Sequence, residues 1–269
     1  MGIVEITPLD IGKLRFDLSD IYSLPFDHSY AGQIAEIPMY SFHISIPARS
    51  VLVDAVAYNL EKMGETYQIS GYEPPPPLLE QLGAHRIEAE QVSDVIITHA
   101  HTDHYGALST EINGHFQLSF PEAQHYLNVA DWQPEEFEKL EERTLRLVEQ
   151  KRLLNLTEGV VDLGDGMTIL PMPGETPGHQ ILHIAGDGEV QDAYFVGDLY
   201  HHQIEFMDEA INVSWADLKE MQASKAAFMN KMASKGGFVY FTHITGSYRV
   251  VEQERIKMEW QVTSKNNHA

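Results

Sequence analysis

The sequence predicts a mixed α/β fold in which β-sheets are covered by helices. Short segments, such as 12–18 and 40–46, alternate apolar and polar residues with a period of two, which is typical of strands with one buried face. A longer segment, 215–234, repeats apolar residues at helical spacing. Both kinds of element must bury an apolar face, and helices packed on sheets bury both.

The first half of the chain is expected to consist mainly of strands. After the two alternating segments, an apolar run at 51–53 ends in the carboxylate of Asp54. The prolines at 74–77 must be extended, because each fixes φ and lacks an amide donor. A short helix is expected directly after them, at 78–82. The apolar run 95–98 then predicts a buried strand.

The second half is expected to mix strands with two amphipathic helices. The segment 134–152 carries apolar residues on one helical face and glutamates elsewhere. The helix over 215–234 is expected to end at the glycine pair 236–237. Apolar runs predict the remaining strands, at 160–163, 167–172, 181–185, 194–196 and 238–241. We expect a single domain over residues 1–269, with a frayed polar tail from about residue 264.

Composition restricts the classes of function. Lysine and arginine total 18 against 40 acidic residues, a formal net charge of −22, so a polyanion is repelled and no nucleic-acid partner is expected. The chain has no cysteine, so any metal site must use nitrogen and oxygen ligands. No stretch approaches the ~18 apolar residues of a membrane span, and the first ten residues do not resemble a signal peptide. We therefore expect a cytoplasmic protein that does not bind a membrane.

The strongest chemical signal is the segment 99–104, which directly follows a predicted strand. It contains His99, His101, Asp103 and His104. A strand end that becomes a loop can direct alternate side chains to a common point, so the first two could bind one ion and the last two a second. Imidazole and carboxylate suit zinc, with manganese, iron or cobalt as replacements. The alternative is a surface histidine run without function, but such runs rarely follow a buried strand or contain an aspartate.

Three further strand ends carry ligand-type side chains. His179 follows a Pro-Gly turn, Asp198 follows the predicted strand 194–196, and His243 follows the last predicted strand. Each of them alone could be an ordinary turn residue. Together with the first cluster, they form a constellation that predicts a metal site.

This order of motifs resembles the metallo-β-lactamase superfamily over nearly the whole chain. The motifs are His-x-His-x-Asp-His at 99–104, Thr-Pro-Gly-His at 176–179, Gly-Asp at 197–198, and His243. The resemblance implies an αββα sandwich that binds two divalent ions, expected to be zinc, at one edge. It implies one ion held by His99, His101 and His179, and a second ion held by Asp103, His104 and His243. Asp198 would bridge both, together with a water or hydroxide.

Within the superfamily, the chain resembles the branch of N-acyl homoserine lactonases and methyl parathion hydrolase-like enzymes. The stretch 197–201, followed by Phe206, carries this similarity. The resemblance implies that a bridging hydroxide opens lactones or cleaves small-molecule esters, with organophosphate triesters as a side activity. A thioester hydrolase of glyoxalase II type and a non-catalytic metal-binding module are the alternatives. Lactonases of this type often pair, which makes a homodimer one option for the assembly.

Three residues are expected to act on the substrate. Asp103, next to the nucleophile, would accept its proton. His201 or Tyr200 would donate to the oxyanion or the leaving group; the alternative for His201 is to brace a metal ligand. The best-known lactonases have a tyrosine three residues after the bridging aspartate, and this chain has His201 there. Asp54 is expected either to support a ligand or to bond local amides.

Overall fold

The computed structural model describes residues 5–58, 67, 69–133, 143–187, 191–208 and 210–249. Within these residues the strands form two six-stranded sheets and a two-stranded hairpin. The predicted tail from about residue 264 and residues 134–142 of the predicted helix lie outside the described residues. None of the described helices is long and apolar enough to span a membrane.

The first sheet contains the amino-terminal strands. They are β1 (Glu5–Asp17), β2 (Ile34–Ile46), β3 (Arg49–Val53), β4 (Asp94–Ile96), β7 (Gln124–Asn128) and β8 (Leu154–Thr157). β1, β2 and β3 pair antiparallel, whereas β3, β4, β7 and β8 pair parallel in that order. Parallel neighbours bring their carboxyl ends to one edge of the sheet.

The second sheet contains most of the carboxy-terminal strands. They are β9 (Val161–Gly164), β10 (Met167–Pro171), β11 (Gln180–Ile184), β12 (Ala193–Phe195), β13 (Phe238–Tyr240) and β14 (Ser247–Arg249). They neighbour one another in chain order, and only the β12–β13 pair is parallel. The separate hairpin consists of β5 (Ser109–Ile112) and β6 (His115–Leu118).

Six α-helices lie in the described part of the chain. They are α1 (Leu18–Ile21), α2 (Leu78–Ala84), α3 (Thr102–Tyr105), α4 (Arg143–Gln150), α5 (Ile204–Met207) and α6 (Leu218–Lys235). The Asp217 carboxylate caps α6 by accepting from the Glu220 amide at 2.9 Å, and Gly236, at φ 68°, ends it. The predicted glycine stop is therefore confirmed, and the helix begins three residues later than the sequence pattern predicts.

Three apolar clusters divide the molecule into layers. Leu52 and Val95 of the first sheet pack with Leu78 of α2. Neighbouring residues on these strands point to the opposite face, because side chains alternate along a strand. On that face Val51, Val53 and Ile96 pack against the second sheet. They share an apolar cluster with its residues Ile169 and Leu182. The outer face of the second sheet packs on α6 through Tyr194, Val239, Met221 and Phe228. The order helix, sheet, sheet, helix confirms the expected αββα sandwich.

Candidate metal centre

The predicted ligands meet because several strands end at the same edge of the sandwich. His99 lies in the turn that follows β4. The helix α3, which begins at Thr102, then carries Asp103 and His104. Asp198 and His243 follow β12 and β13, which run parallel. His179 directly precedes β11, which runs antiparallel to β12 and therefore begins where β12 ends.

One group of ligand atoms surrounds the end of β4. His99 Nε2 lies 2.9 Å from His101 Nδ1 and 3.7 Å from Asp198 Oδ2. Glu175 Oε1 lies 3.3 Å from His101 Nδ1. Each of these four residues offers one ligand atom, and the four atoms lie within 4.8 Å of one another. This spacing is compatible with a single cation among them.

A second group lies on the other side of the Asp198 carboxylate. His104 Nε2 is 3.3 Å from Asp198 Oδ1 and 3.6 Å from Asp103 Oδ2. His243 Nε2 has the same two neighbours at 3.3 and 3.6 Å. Asp198 thus presents Oδ2 to the first group and Oδ1 to the second, which is the arrangement required of a bridging ligand.

His179 lies at the margin of the first group. Its ring centroid is 5.3 Å from that of His99, and its Nε2 accepts a hydrogen bond from the Asp198 amide at 3.2 Å. The structure therefore brings six of the seven predicted ligands into the two groups, leaves His179 beside the first, and adds Glu175, which the sequence pattern did not single out. Glu175 directly precedes the Thr-Pro-Gly-His motif at 176–179, where its position in a turn gave no sign of a ligand.

The donor atoms fit a divalent cation. Within the described residues, His104 Nε2, Asp198 Oδ1 and Glu175 Oε2 are buried without a hydrogen-bond partner, which is costly unless an ion or water satisfies them. The opposite nitrogens of two rings are fixed. His104 Nδ1 lies 2.8 Å from Asp54 Oδ2, and His243 Nδ1 lies 2.9 Å from the Pro38 carbonyl. A proton on each Nδ1 leaves each Nε2 lone pair directed at the site.

Asp54 supports the second group from behind. Besides facing His104, its carboxylate accepts from the Thr98 amide at 2.8 Å and from the Thr98 hydroxyl at 2.9 Å. Of the two roles expected for Asp54, the structure combines both, because it braces a ligand and bonds a local amide. Gly197 has φ 50°, and a Cβ there would lie 2.7 Å from Thr98 Oγ1. Glycine is required at this position because the turn passes so close to Thr98.

Asp131 connects the two loops that carry the first group. Its Oδ2 accepts from the Ala100 amide at 3.0 Å and from the Thr176 hydroxyl at 2.7 Å. Its Oδ1 accepts from the Gly178 amide at 2.7 Å. One buried carboxylate thereby fixes the 99–101 loop relative to the 175–179 loop. Asp131 follows β7 in the chain, so the strand-end pattern would have identified it had β7 been predicted.

Opposing electrostatic effects act on the site. Burial raises the pKa of Asp198, but neighbouring imidazoles, His104 first, hold it well below its usual value. Burial lowers the pKa of His104, yet the three carboxylates around it raise it well above the usual value. The pKa of His99 is lowered well below its usual value by burial and by adjacent imidazoles. Burial raises the pKa of Glu175, but His201 and another imidazole lower it to about 2. Asp198 and Glu175 are therefore ionised at neutral pH, the form in which carboxylates bind metals.

His201 and Tyr200 occupy different environments. His201 Nε2 faces the centre, 3.2 Å from Asp198 Oδ2 and 3.5 Å from Glu175 Oε1. Tyr200 is not brought to the centre, because its extended backbone (φ −146°, ψ 133°) turns successive side chains to opposite sides. Its ring packs against Phe206, with ring centroids 4.6 Å apart, and lies under the Lys225 ammonium at 4.9 Å.

A cavity of about 290 Å³ opens onto the centre. Metal-centre residues, among them Asp103, His201 and Glu175, form its floor. Apolar and aromatic side chains form its walls: Leu14, Phe16, Ile21, Ile37, Met39, Tyr67 and Trp215. None of the described residues that line it is a lysine or an arginine. The described lining therefore combines apolar walls with the imidazoles and carboxylates of the centre.

The family follows from sequence comparison. Residues 70–259 match the model of the metallo-beta-lactamase superfamily, and the chain belongs to this superfamily. This membership confirms the resemblance seen in the sequence motifs. A search of curated protein sequences gave no match.

Solved structures share the fold at low sequence identity. Hydrolase AbOPH of the beta-lactamase superfamily has a TM-score of 0.75 at 18% identity, over 97% of each chain. The dizinc quorum-quenching lactonase AidC has a TM-score of 0.74 at 19% identity, covering 99% of this chain and 97% of its own. An N-acyl homoserine lactone hydrolase, solved with N-hexanoyl-L-homoserine at its catalytic metal centre, has a TM-score of 0.67 at 20% identity, covering 90% and 94%.

Proposed function

We propose that the protein is a two-metal hydrolase of neutral lactones and carboxylic esters, with organophosphate triesters as a side activity. The observation that carries the proposal is the pair of ligand groups joined by Asp198 at the floor of an apolar-walled cavity. Two divalent ions, expected to be zinc, would be held by His99, His101, His179 and Asp198 on one side and by Asp103, His104, His243 and Asp198 on the other. When bound, such ions supply a nucleophilic water near neutral pH and polarise the oxygen under attack.

The residues of this chain position the substrate and move its protons. The apolar walls would take up the acyl or aryl part, since burying that surface contributes roughly 25 cal/mol per Å². Asp103, whose side chain is 20% exposed at the cavity, would accept a proton on the carboxylate oxygen that does not bind the second ion. His201 Nε2, directed at the same floor, would donate a proton to the oxyanion or the leaving group. Tyr200 is left out of this role because its ring packs elsewhere.

The cavity argues against the thioester alternative. Glutathione thioesters carry carboxylates, and enzymes that bind them need cationic contacts. The described residues lining this cavity include no lysine or arginine, and the chain has a formal net charge of −22. A neutral lactone or ester avoids this repulsion. The similarity in fold to AidC, a lactonase solved with a hydrolysed acyl homoserine lactone, supports the same substrate class.

Hydrolysis of a small substrate panel by metal-analysed protein tests the proposal. The panel contains acyl homoserine lactones, aryl acetates and lactoylglutathione, and Asp198→Ala is the control because it removes the bridging carboxylate. We expect lactone or aryl ester turnover that is lost in the control. Turnover of lactoylglutathione alone would favour the thioester alternative. A protein loaded with two ions yet inert to the whole panel would favour a non-catalytic metal-binding module.

A further inference from the structure

Glu175 is a buried carboxylate in the centre that the superfamily motifs leave without a role. Its side chain is 0% exposed. One of its oxygens lies within 4.8 Å of ligand atoms of His99, His101 and Asp198. Glu175 therefore lies among the atoms expected to hold the first ion.

The two oxygens of Glu175 have different surroundings. Oε1 accepts a hydrogen bond from Trp215 Nε1 at 2.6 Å and lies 3.5 Å from His201 Nε2. Oε2 is buried and has no hydrogen-bond partner within the described residues. A buried carboxylate oxygen left in this way is costly, because burial has removed its water without a replacement. The indole thus fixes the carboxylate through Oε1, the oxygen that also faces the imidazoles of His101 and His201, while Oε2 has no partner among the described residues.

The charge of Glu175 also lacks a permanent counter-charge. Its ion-pair partners in the described part of the chain are the imidazoles of His101 and His201. The buried cation Lys225 pairs with Glu205, at 2.5 Å, and not with Glu175. Buried carboxylates are normally paired or coordinate a metal, and here the pairing side chains are themselves part of the metal centre.

Charge accounting favours the same role. Two divalent ions bring +4, and the carboxylates that the superfamily motifs supply, Asp103 and Asp198, return −2. A bridging hydroxide returns a further −1, and Glu175 then lowers the remaining charge from +1 to 0 in a buried site, where an uncompensated charge is expensive.

We propose that Glu175 is an additional ligand of the first ion, beside His99 and His101. The inference rests on the proposed two-metal function and adds to it a carboxylate absent from the superfamily ligand set. Trp215 is then the residue that orients this ligand, and the first site is richer in oxygen donors than the motifs imply.

Competition titration with a chelator tests the ligand role through metal affinity. Glu175→Gln keeps the size and the hydrogen bond from Trp215 but removes the charge. We expect it to bind one ion as the wild type does and the other about 100-fold more weakly, at the upper end of what loss of a supporting residue produces. The matched control, Trp215→Phe, removes the hydrogen bond and keeps the carboxylate, so it should weaken the same ion by only about 10-fold, at the lower end of what loss of a supporting residue produces.

The visible spectrum of cobalt-substituted protein separates a ligand from a supporting residue. Loss of a ligand changes the d–d absorption of one of the two bound cobalt ions, and we expect this change in Glu175→Gln but not in Trp215→Phe. Weaker binding with an unchanged spectrum, equal weakening in both variants, or wild-type affinity in Glu175→Gln would each overturn the proposal. A wild-type protein that binds fewer than two ions would instead overturn the two-metal function itself.

A crystal structure of zinc-loaded wild-type protein gives a test that does not depend on the folding of a variant. A Glu175 oxygen at about 2.0–2.2 Å from the first zinc ion, the usual carboxylate distance, would establish the ligand. A separation beyond about 3 Å would overturn it.

Discussion

The Asp131→Ala variant is expected to lose a large part of the stability of the protein and much of its metal affinity. The substitution removes a carboxylate that is 5% exposed and accepts hydrogen bonds from the Ala100 amide, the Gly178 amide and the Thr176 hydroxyl. The half-buried hydroxyl can turn to water, but the two amides would be left unpaired. Each unpaired buried donor costs about 1–3 kcal/mol, so the expected loss for the two amides is about 2–6 kcal/mol.

Urea unfolding of metal-free protein at pH 7 measures this loss, with Asp162→Ala as the matched control. The Asp162 carboxylate also accepts from a backbone amide, that of Gly164 at 2.8 Å, but at an exposed position, so its removal should cost no more than about 0.5 kcal/mol. The loss of stability in Asp131→Asn should lie between those of Asp131→Ala and Asp162→Ala. The side-chain amide of asparagine keeps one oxygen acceptor, but its NH₂ group faces an N–H donor on the other side. A loss below about 1 kcal/mol in Asp131→Ala, with wild-type zinc affinity, would refute the reasoning.

Three further substitutions test separate parts of the structure. His201→Ala should lower turnover by about 100-fold or more, as expected for a proton donor, while metal analysis still finds two ions; unchanged turnover would show that His201 does not donate. Gly178→Ala should destabilise the protein in thermal unfolding, because a Cβ there would lie 2.6 Å from Asp131 Cγ; an unchanged melting temperature would contradict this close approach. Burial lowers the pKa of His125 from 6.5 to about 4. As the pH falls, His125 therefore takes up a proton in the unfolded chain before it does so in the folded protein. The free energy of unfolding decreases as the pH falls from 6.5 towards 4. Relative to wild type, His125→Leu should gain about 2 kcal/mol between pH 7.5 and pH 5 in urea unfolding; parallel pH profiles would contradict the assignment.

Much of the fold is predictable because most of its strands are apolar runs bounded by turn residues. The segments predicted at 167–172 and 181–185 correspond to β10 and β11 within one residue at each end. The hairpin of β5 and β6 was missed although Asn113-Gly114, with φ of 53° and 79°, forms its turn, and this dipeptide is the strongest short hairpin signal. β7 was missed for a physical reason, since its sequence QHYLN shows no apolar run and its burial comes from neighbouring strands.

The metal centre is predictable as far as strand ends are predictable. His99, Asp198 and His243 each follow an apolar strand, and the sandwich brings those ends together. The failure to predict β7 accounts for the failure to find Asp131, which follows it. Tyr200 and His201 could not be separated by sequence, because either neighbour could face the centre until the path of the extended backbone was known.

The burial of Glu175 could not be predicted from the local sequence. In the sequence it is an acidic residue in a Pro-Gly-rich turn, for which a solvated position is the ordinary expectation. Its burial is decided by contacts that are distant along the chain. Trp215, which donates to it, is 40 residues away, and the Asp131 carboxylate that fixes its turn is 45 residues from Thr176. The strand-end pattern therefore predicts which ligands converge, whereas the number of carboxylates around them, and with it the net charge of the centre, is set by loops that only the folded chain brings together.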